Sequence, residues 1–424
     1  MRPSTFTAFP RSEVLASESG NGNSGPTGTN VFDSVVILSP YPWIFQDGMW
    51  QTTHHIAREF ARLCPTLLVE PAPQWDPRTE WFQRQGLPRS LFGSRTSAPV
   101  ANLFVFHRQG LPLGRFSCLR NFALLRNARS LRRLLKRWGF RRTLLWHSFP
   151  YWSEPLVEAV DYTFFAYHCL DHSTREEEVG LIRCADAVFC VSEALVQKHR
   201  AVNPHTYLLS NGVDLGTFAA GSLRDRRPAD LPADGRLIGF VGSINRHLDI
   251  ELLLQIAETF PHDCLVIGGR IPGNQTAPQG RQLEALRRLR SRPNVRMLGF
   301  IPTPKLAVYL NAFDVCLIPF LQNLFNRECD PLKFYQYMAL GKPVVSTPVE
   351  VAARYPELCY LAGSSEEFLR SISQALGELE CEALRRQRIE FARAHNWNSR
   401  VAQACQILSG LQNPRSPSGS SGCP

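Results

Sequence analysis

Twelve short apolar runs set the strongest limit on what this chain can fold into. They are Ser34–Leu38, Thr66–Glu70, Leu103–Phe106, Thr143–Trp146, Thr163–Tyr167, Ala187–Val191, Tyr207–Leu209, Leu237–Val241, Cys264–Ile267, Val295–Leu298, Val315–Ile318 and Pro343–Ser346. Each is nearly continuous in Val, Ile, Leu and Phe, and does not alternate with polar residues. That pattern suits strands buried on both faces. Amphipathic helical stretches separate them, which predicts βαβ units and parallel sheets. The fold class is therefore α/β, with two doubly wound, Rossmann-like halves.

The division follows composition. Residues 1–30 are rich in Ser, Gly, Asn, Thr and Pro and read as a disordered arm; residues 412–424 read as a similar tail. A polar, Pro-bearing break at 219–235 reads as a linker between halves at 31–218 and 236–385. The stretch Glu382–Leu411 is helical, and its part 386–411 is expected to cross back to the first half. No run approaches the roughly 18 apolar residues of a membrane span. The N-terminus lacks a charged-then-apolar leader. Twelve scattered cysteines without a Cys-x-x-Cys pair suit free thiols in a reducing cytoplasm.

The net charge of +10 is uneven. Between Trp81 and Ser153 there are 14 Arg and Lys and no Asp or Glu, leaving 33 basic against 37 acidic residues elsewhere. A local positive field implies an anionic partner. Within it, the stretch 117–138 has an apolar stripe of Phe122, Leu125, Ala128, Leu131, Leu135 and Trp138 among arginines. Such a helix suits an anionic membrane surface, or equally an ordinary domain helix with a solvated basic face. No nucleic-acid-binding motif accompanies the charge, so nucleic acid is disfavoured.

The segment from Arg327 to Thr347 carries the most chemistry. Asp330 is a good N-cap, Pro331 suits the first helical position, and Gly341 with Pro343 suits the stop. The loop Leu321–Cys329 leads into this short helix. Its N-terminus plus Lys333 offers a phosphate site, and Gln336 shares the Lys333 face. Gly242-Ser243 and Gly268-Gly269-Arg270 end two strands, where glycine admits a phosphate to backbone N–H groups. Alone, either reads as an ordinary strand-to-helix turn. Gly341-Lys342-Pro343 lacks the rest of a Walker loop, so an ATPase is excluded. In the first half, Gly48 admits close approach and Trp50 can stack on a sugar. His147 and the Tyr167–His172 segment, with Asp171, end strands. His54 and His55 diverge on a helix and make a poor metal pair, and a metal site at Tyr167–His172 stays open although its spacing fits no known pattern.

Asp330-Pro-Leu-Lys-Phe-Tyr-Gln-Tyr-Met-Ala-Leu-Gly-Lys-Pro-Val-Val-Ser-Thr347 resembles the donor-site helix of retaining glycosyltransferases of family 4, group 1. The teichuronic-acid-biosynthesis-like branch is the nearest in pattern. Ile238-Gly-Phe-Val-Gly-Ser-Ile, Leu298-Gly-Phe-Ile-Pro, Phe313–Pro319, Ala185–Ser192 and Ser210-Asn-Gly-Val-Asp214 follow in family order. The resemblance implies a GT-B architecture, with a nucleotide sugar held by the second half and a glycan or lipid-linked acceptor by the first. It implies no cofactor and no metal. It assigns Glu328 and Lys333 to catalysis. Gly242, Ser243, Arg246, Arg270, Phe300, Ile301, Asp330, Leu332 and Gln336 would hold the donor, and Gly48, Trp50, His147 and Asp171 the acceptor side. The family's Glu-x7-Glu pair reads Glu328-x7-Gln336 here, and its usual Arg and Lys after the first glycine loop fall near Ser243 and Leu248. The expected activity is sugar transfer to a cell-envelope or exopolysaccharide precursor, or another small acceptor, in the cytoplasm or at the cytoplasmic membrane face. A sugar-nucleotide epimerase and a non-catalytic binding protein are the alternatives.

Overall fold

The computed structural model describes residues 31–43, 51–71, 96–108, 117–150, 154–218, 227–273, 276–378 and 381–411. The first sheet holds eight strands: β1 (Ser34–Leu38), β2 (Thr66–Val69), β3 (Thr96–Val100), β4 (Leu103–Phe106), β5 (Thr143–His147), β6 (Phe164–Cys169), β7 (Ala187–Cys190) and β8 (Thr206–Leu208). Their order is β3-β4-β2-β1-β5-β6-β7-β8. The second holds six: β9 (Leu237–Val241), β10 (Cys264–Gly268), β11 (Val295–Gly299), β12 (Val315–Ile318), β13 (Val344–Ser346) and β14 (Tyr360–Leu361). Their order is β11-β10-β9-β12-β13-β14. Among these pairings only β3–β4 is antiparallel.

Burial on both faces explains the apolar runs. In β1, Val36 and Leu38 join one core while Val35 and Ile37 join the opposite one. In the second sheet, Leu237 lies in one core and Ile238 and Phe240 in the other. Helices cover both faces of each sheet, as parallel sheets require.

Two strands depart from the sequence expectation. Strand β3 is a polar, partly exposed edge containing Pro99, so it lacks the apolar signal. Strand β14 is two residues long. The C-terminal stretch is two helices, Glu382–Ala394 and Trp397–Gly410, broken at His395-Asn396. The second inserts Trp397, Val401, Ala404 and Leu408 into the core of the first sheet. Here Val213 N–H donates to His395 O at 3.1 Å, and Trp397 N–H to Val213 O at 3.3 Å. The later part of the expected linker is packed: Leu231 is buried in a core of the second sheet, and Tyr309 Oη donates to Asp230 at 2.9 Å. Residues 1–30, 219–226 and 412–424 lie outside the described set.

The basic helix Ser117–Trp138 splits its apolar stripe. Ala128, Leu131 and Leu135 are buried in the first core, with Trp138 packed against it, whereas Phe122 and Leu125 are exposed. Among the described residues, no helix is long and apolar enough to cross a membrane.

Candidate functional site

The helix Leu332–Ala339 follows strand β12 through the segment Pro319–Pro331. Part of the expected loop is itself a short helix, Leu324–Glu328, whose Asn323 side chain accepts from Asn326 N–H at 2.9 Å. The expected cap is corrected. Pro331 occupies the N-cap position, and Asp330 does not cap the helix. Its carboxylate accepts from Asn211 N–H at 2.6 Å and from Tyr335 Oη at 2.9 and 3.0 Å. Asp330 is thus a buried brace to the first half, not a side chain presented to a donor. Burial pushes its carboxyl up to about 6. At the other end, Gly341 has φ +68°, and Lys342 N–H donates back to Tyr337 O at 3.0 Å, a left-handed stop.

Lys333 lies in the first turn of this helix. Its Nζ lies 4.6 Å from the Phe320 ring centroid and 5.4 Å from that of Phe240. Among the described residues no carboxylate pairs with it. Burial pulls its ammonium down to about 8. A Cβ placed on Gly242 would stand 3.2 Å from Nζ, so the lysine reaches the first glycine loop. The second loop abuts the first. A Cβ on Gly269, which has φ +147°, would stand 1.7 Å from Gly242 O. The helix N-terminus, the lysine and two glycine loops therefore meet, where oriented N–H groups and a cation favour an anion.

The surrounding expected donor residues divide. Ser243 and Arg246 are exposed beside the first loop, and Gln336 is half-buried with no hydrogen bond among the described residues. The Arg270 guanidinium lies 3.9 Å over the Phe300 ring. Ile301 is buried and packs its Cδ1 beneath Gly268, a structural place. Leu332 packs against the core of the first sheet.

Glu328 faces the first half. Its Oε2 lies 2.6 Å from His172 Nδ1, from the loop after β6. Asp171, next to it, is exposed yet crowded by protein, and desolvation raises its carboxyl to about 6. His147 is corrected: it is fully buried against Phe149, ring centroids 4.2 Å apart, so it is a core residue and not an acceptor contact. Burial lowers it to about 3. Gly48 and Trp50 lie outside the described residues.

Two joints escaped the sequence reading. Asn211 binds Asp330 through both its N–H and its amide, accepts from Thr52 Oγ1 at 2.7 Å, and its carbonyl accepts from Arg400 Nε at 3.0 Å. Glu350 accepts from Glu193 N–H at 2.6 Å and Ala194 N–H at 3.1 Å, capping helix Glu193–Arg200 from the other half. Each partner lies more than a hundred residues away, where local spacing carries no signal.

Residues 235–378 match the profile of the family described as glycosyl transferases group 1. A Bacillus subtilis (strain 168) protein that carries the name teichuronic acid biosynthesis glycosyltransferase TuaH is 24% identical over 298 residues, 64% of this chain and 72% of its own. Among solved structures, sucrose-phosphate synthase from Thermosynechococcus elongatus has a TM-score of 0.68 at 19% identity, covering 89% of this chain and 99% of that one. HepE of Anabaena, in complex with UDP and glucose, has a TM-score of 0.57 at 16% identity, covering 89% and 99%. These likenesses show the fold: the two parallel sheets are those of the GT-B architecture.

Proposed function

We propose that this enzyme, a glycosyltransferase of GT-B fold, moves a sugar from a nucleotide-sugar donor to a glycan or lipid-linked acceptor with retention of configuration. The observation that carries this reading is the ammonium of Lys333, without a carboxylate partner, at a helix N-terminus against the Gly242 loop. The second half, 236–385, would hold the donor and the first, 31–218, the acceptor. The HepE complex with UDP and glucose supports a nucleotide-sugar donor. The name of the Bacillus relative supports a cell-envelope or exopolysaccharide product.

In the transfer, the bond from the anomeric carbon to the diphosphate breaks and a bond to an acceptor hydroxyl forms. Negative charge grows on the departing diphosphate, where Lys333 and the helix N-terminus stabilise it. The acceptor proton passes to the leaving phosphate oxygen, so no protein base is required. Glu328 keeps Oε1 for a sugar hydroxyl while Oε2 is engaged by His172. Gln336 would hydrogen-bond the ribose as a neutral group. Arg270 and Arg246 are the remaining cations near the diphosphate, with Ser243 and Phe300 beside them. Closure between the sheets would orient the reactants and exclude water. A place on the cytoplasmic membrane face is suggested by exposed Phe122 and Leu125 on the basic helix.

Titration calorimetry of the full chain with UDP and with GDP tests the reading. Binding of one of them below millimolar concentration is expected. Binding of neither at millimolar levels would overturn the donor site.

A further inference from the structure

Behind the loop that carries Asp171 and His172, three side chains from three elements converge without a part in the transfer. Cys169 ends strand β6, Glu178 lies on helix Glu176–Cys184, and His199 lies on helix Glu193–Arg200. All three are buried, and one ligand atom from each lies within 4.8 Å of the others. Cys169 Sγ is 3.5 Å from Glu178 Oε1 and 3.7 Å from His199 Nε2. Neighbouring ligand atoms on a tetrahedral zinc ion, with bonds of about 2.0–2.3 Å, stand about 3.5 Å apart.

The Cys169 sulfur is surrounded by groups from three segments: Glu178, His199 and, at 3.5 Å, the Asp171 carbonyl. Among the described residues no Arg or Lys makes an ion pair with Glu178, and Lys198 Nζ is engaged by Ser173 O at 3.1 Å. Tyr167 Oη donates at 2.8 Å to Glu178 Oε1, the oxygen that also faces Cys169, and so holds the carboxylate in place, as outer hydrogen bonds orient metal ligands. Cys190 stands opposite Cys169 in the β6–β7 register and is also buried, so a second sulfur adjoins the site.

We propose that Cys169, Glu178 and His199 bind a structural zinc ion, with Cys190 adjacent to the fourth position. Thiolate, imidazole and carboxylate together suit zinc among the common divalent ions. On binding, the Cys169 thiol loses its proton to solvent and the sulfur bonds the metal. The ion ties the end of β6 to two helices. Asp171 and His172 follow Cys169 by two and three residues, so the tie holds the loop from which His172 meets Glu328. It is a brace on the acceptor side, separate from the chemistry at Lys333.

The test uses the full chain, expressed with added zinc and purified without chelator. Mass spectrometry of the metal content should find about one zinc per chain, falling to background in Cys169→Ser and in His199→Gln. Metal-stripped wild-type chain titrated with cobalt(II) should develop a thiolate-to-cobalt charge-transfer band, and this needs no variant to fold. Zinc added back should raise the thermal midpoint of the wild type and leave that of Cys169→Ser unmoved. A folded wild-type chain that takes up neither zinc nor cobalt, or zinc retained in both variants, overturns the site. Such failure leaves nucleotide binding intact, whereas failure of the donor reading leaves the metal content unchanged.

Discussion

At the scale of single residues, Lys333 decides most. An ammonium among Phe240, Phe320 and a glycine loop has lost hydration without gaining a carboxylate. On the proposed mechanism it stabilises charge that appears only as the diphosphate departs. Lys333→Ala should therefore lower kcat/KM by about 10²–10³, the usual cost of one such group, with the thermal midpoint unchanged or raised. Unchanged turnover in the folded variant would remove it from the mechanism. Its pKa near 8 gives a sign. Below 8 the free enzyme carries the charge, and above 8 it does not. The pH profile of kcat/KM for the donor should be flat through neutrality and fall above about 8. Lys333→Arg, charged throughout, should lose that limb. Stability runs oppositely: the unfolded lysine keeps its proton to about 10.4, so stability should rise between pH 8 and 10 in the wild type relative to Lys333→Met. Lys333 was legible because a helix start beside a lysine is a local pattern. Asp330 was misread for the same reason. Asp-Pro is an excellent local cap, but Asn211, 119 residues away, captured its carboxylate.

At the scale of elements, the two glycine loops act as one object. Gly269 N–H donates to Gly299 O at 2.6 Å, and Gly242 N–H donates to Gly268 O at 2.9 Å, so strands β9, β10 and β11 end in a single bonded rim. Alanine at 269 would drive its Cβ into Gly242 O, a backbone atom that cannot swing aside, at a φ that L-residues rarely adopt. Gly269→Ala should lower stability by more than the roughly 1–3 kcal/mol of an ordinary strained residue and lose nucleotide binding. Gly273→Ala, with no described residue within 4 Å of its Cβ, should behave as wild type in both assays. Equal thermal midpoints for the two variants would refute the tight rim. The strands were legible because burial on both faces leaves an apolar run in the chain. Strand β3 was not, since an antiparallel edge beside solvent needs no such run. The C-terminal break at His395-Asn396 was hidden likewise: Asn396 caps the last helix through Ser399 N–H, but the chain also bonds there to Val213, far away in sequence, through an isolated bridge.

At the scale of the whole molecule, charge and apolar exposure coincide. The Trp81–Ser153 window carries all of the positive excess, and its described helix exposes Phe122 and Leu125 and, further along, Arg129, Arg133 and Lys136. The sequence placed the stripe on one face. In the structure, the far half of that stripe is core, because Leu131 and Leu135 complete the first sheet's packing. On this helix the face open to a membrane is therefore its first turns and its solvent-facing cations, a small patch reliant on charge. Basic residues near an anionic surface contribute about 1 kcal/mol each, and salt screens them within about 10 Å at 0.1 M. Flotation with phosphatidylserine vesicles should recover the chain at low salt and much less at high salt. Neutral vesicles should recover little. Phe122→Ser with Leu125→Ser should weaken recovery while leaving the thermal midpoint near that of the wild type, since neither side chain is buried. Equal recovery on neutral and anionic vesicles would rule out electrostatic docking, and an acceptor would then have to reach the first half from solution.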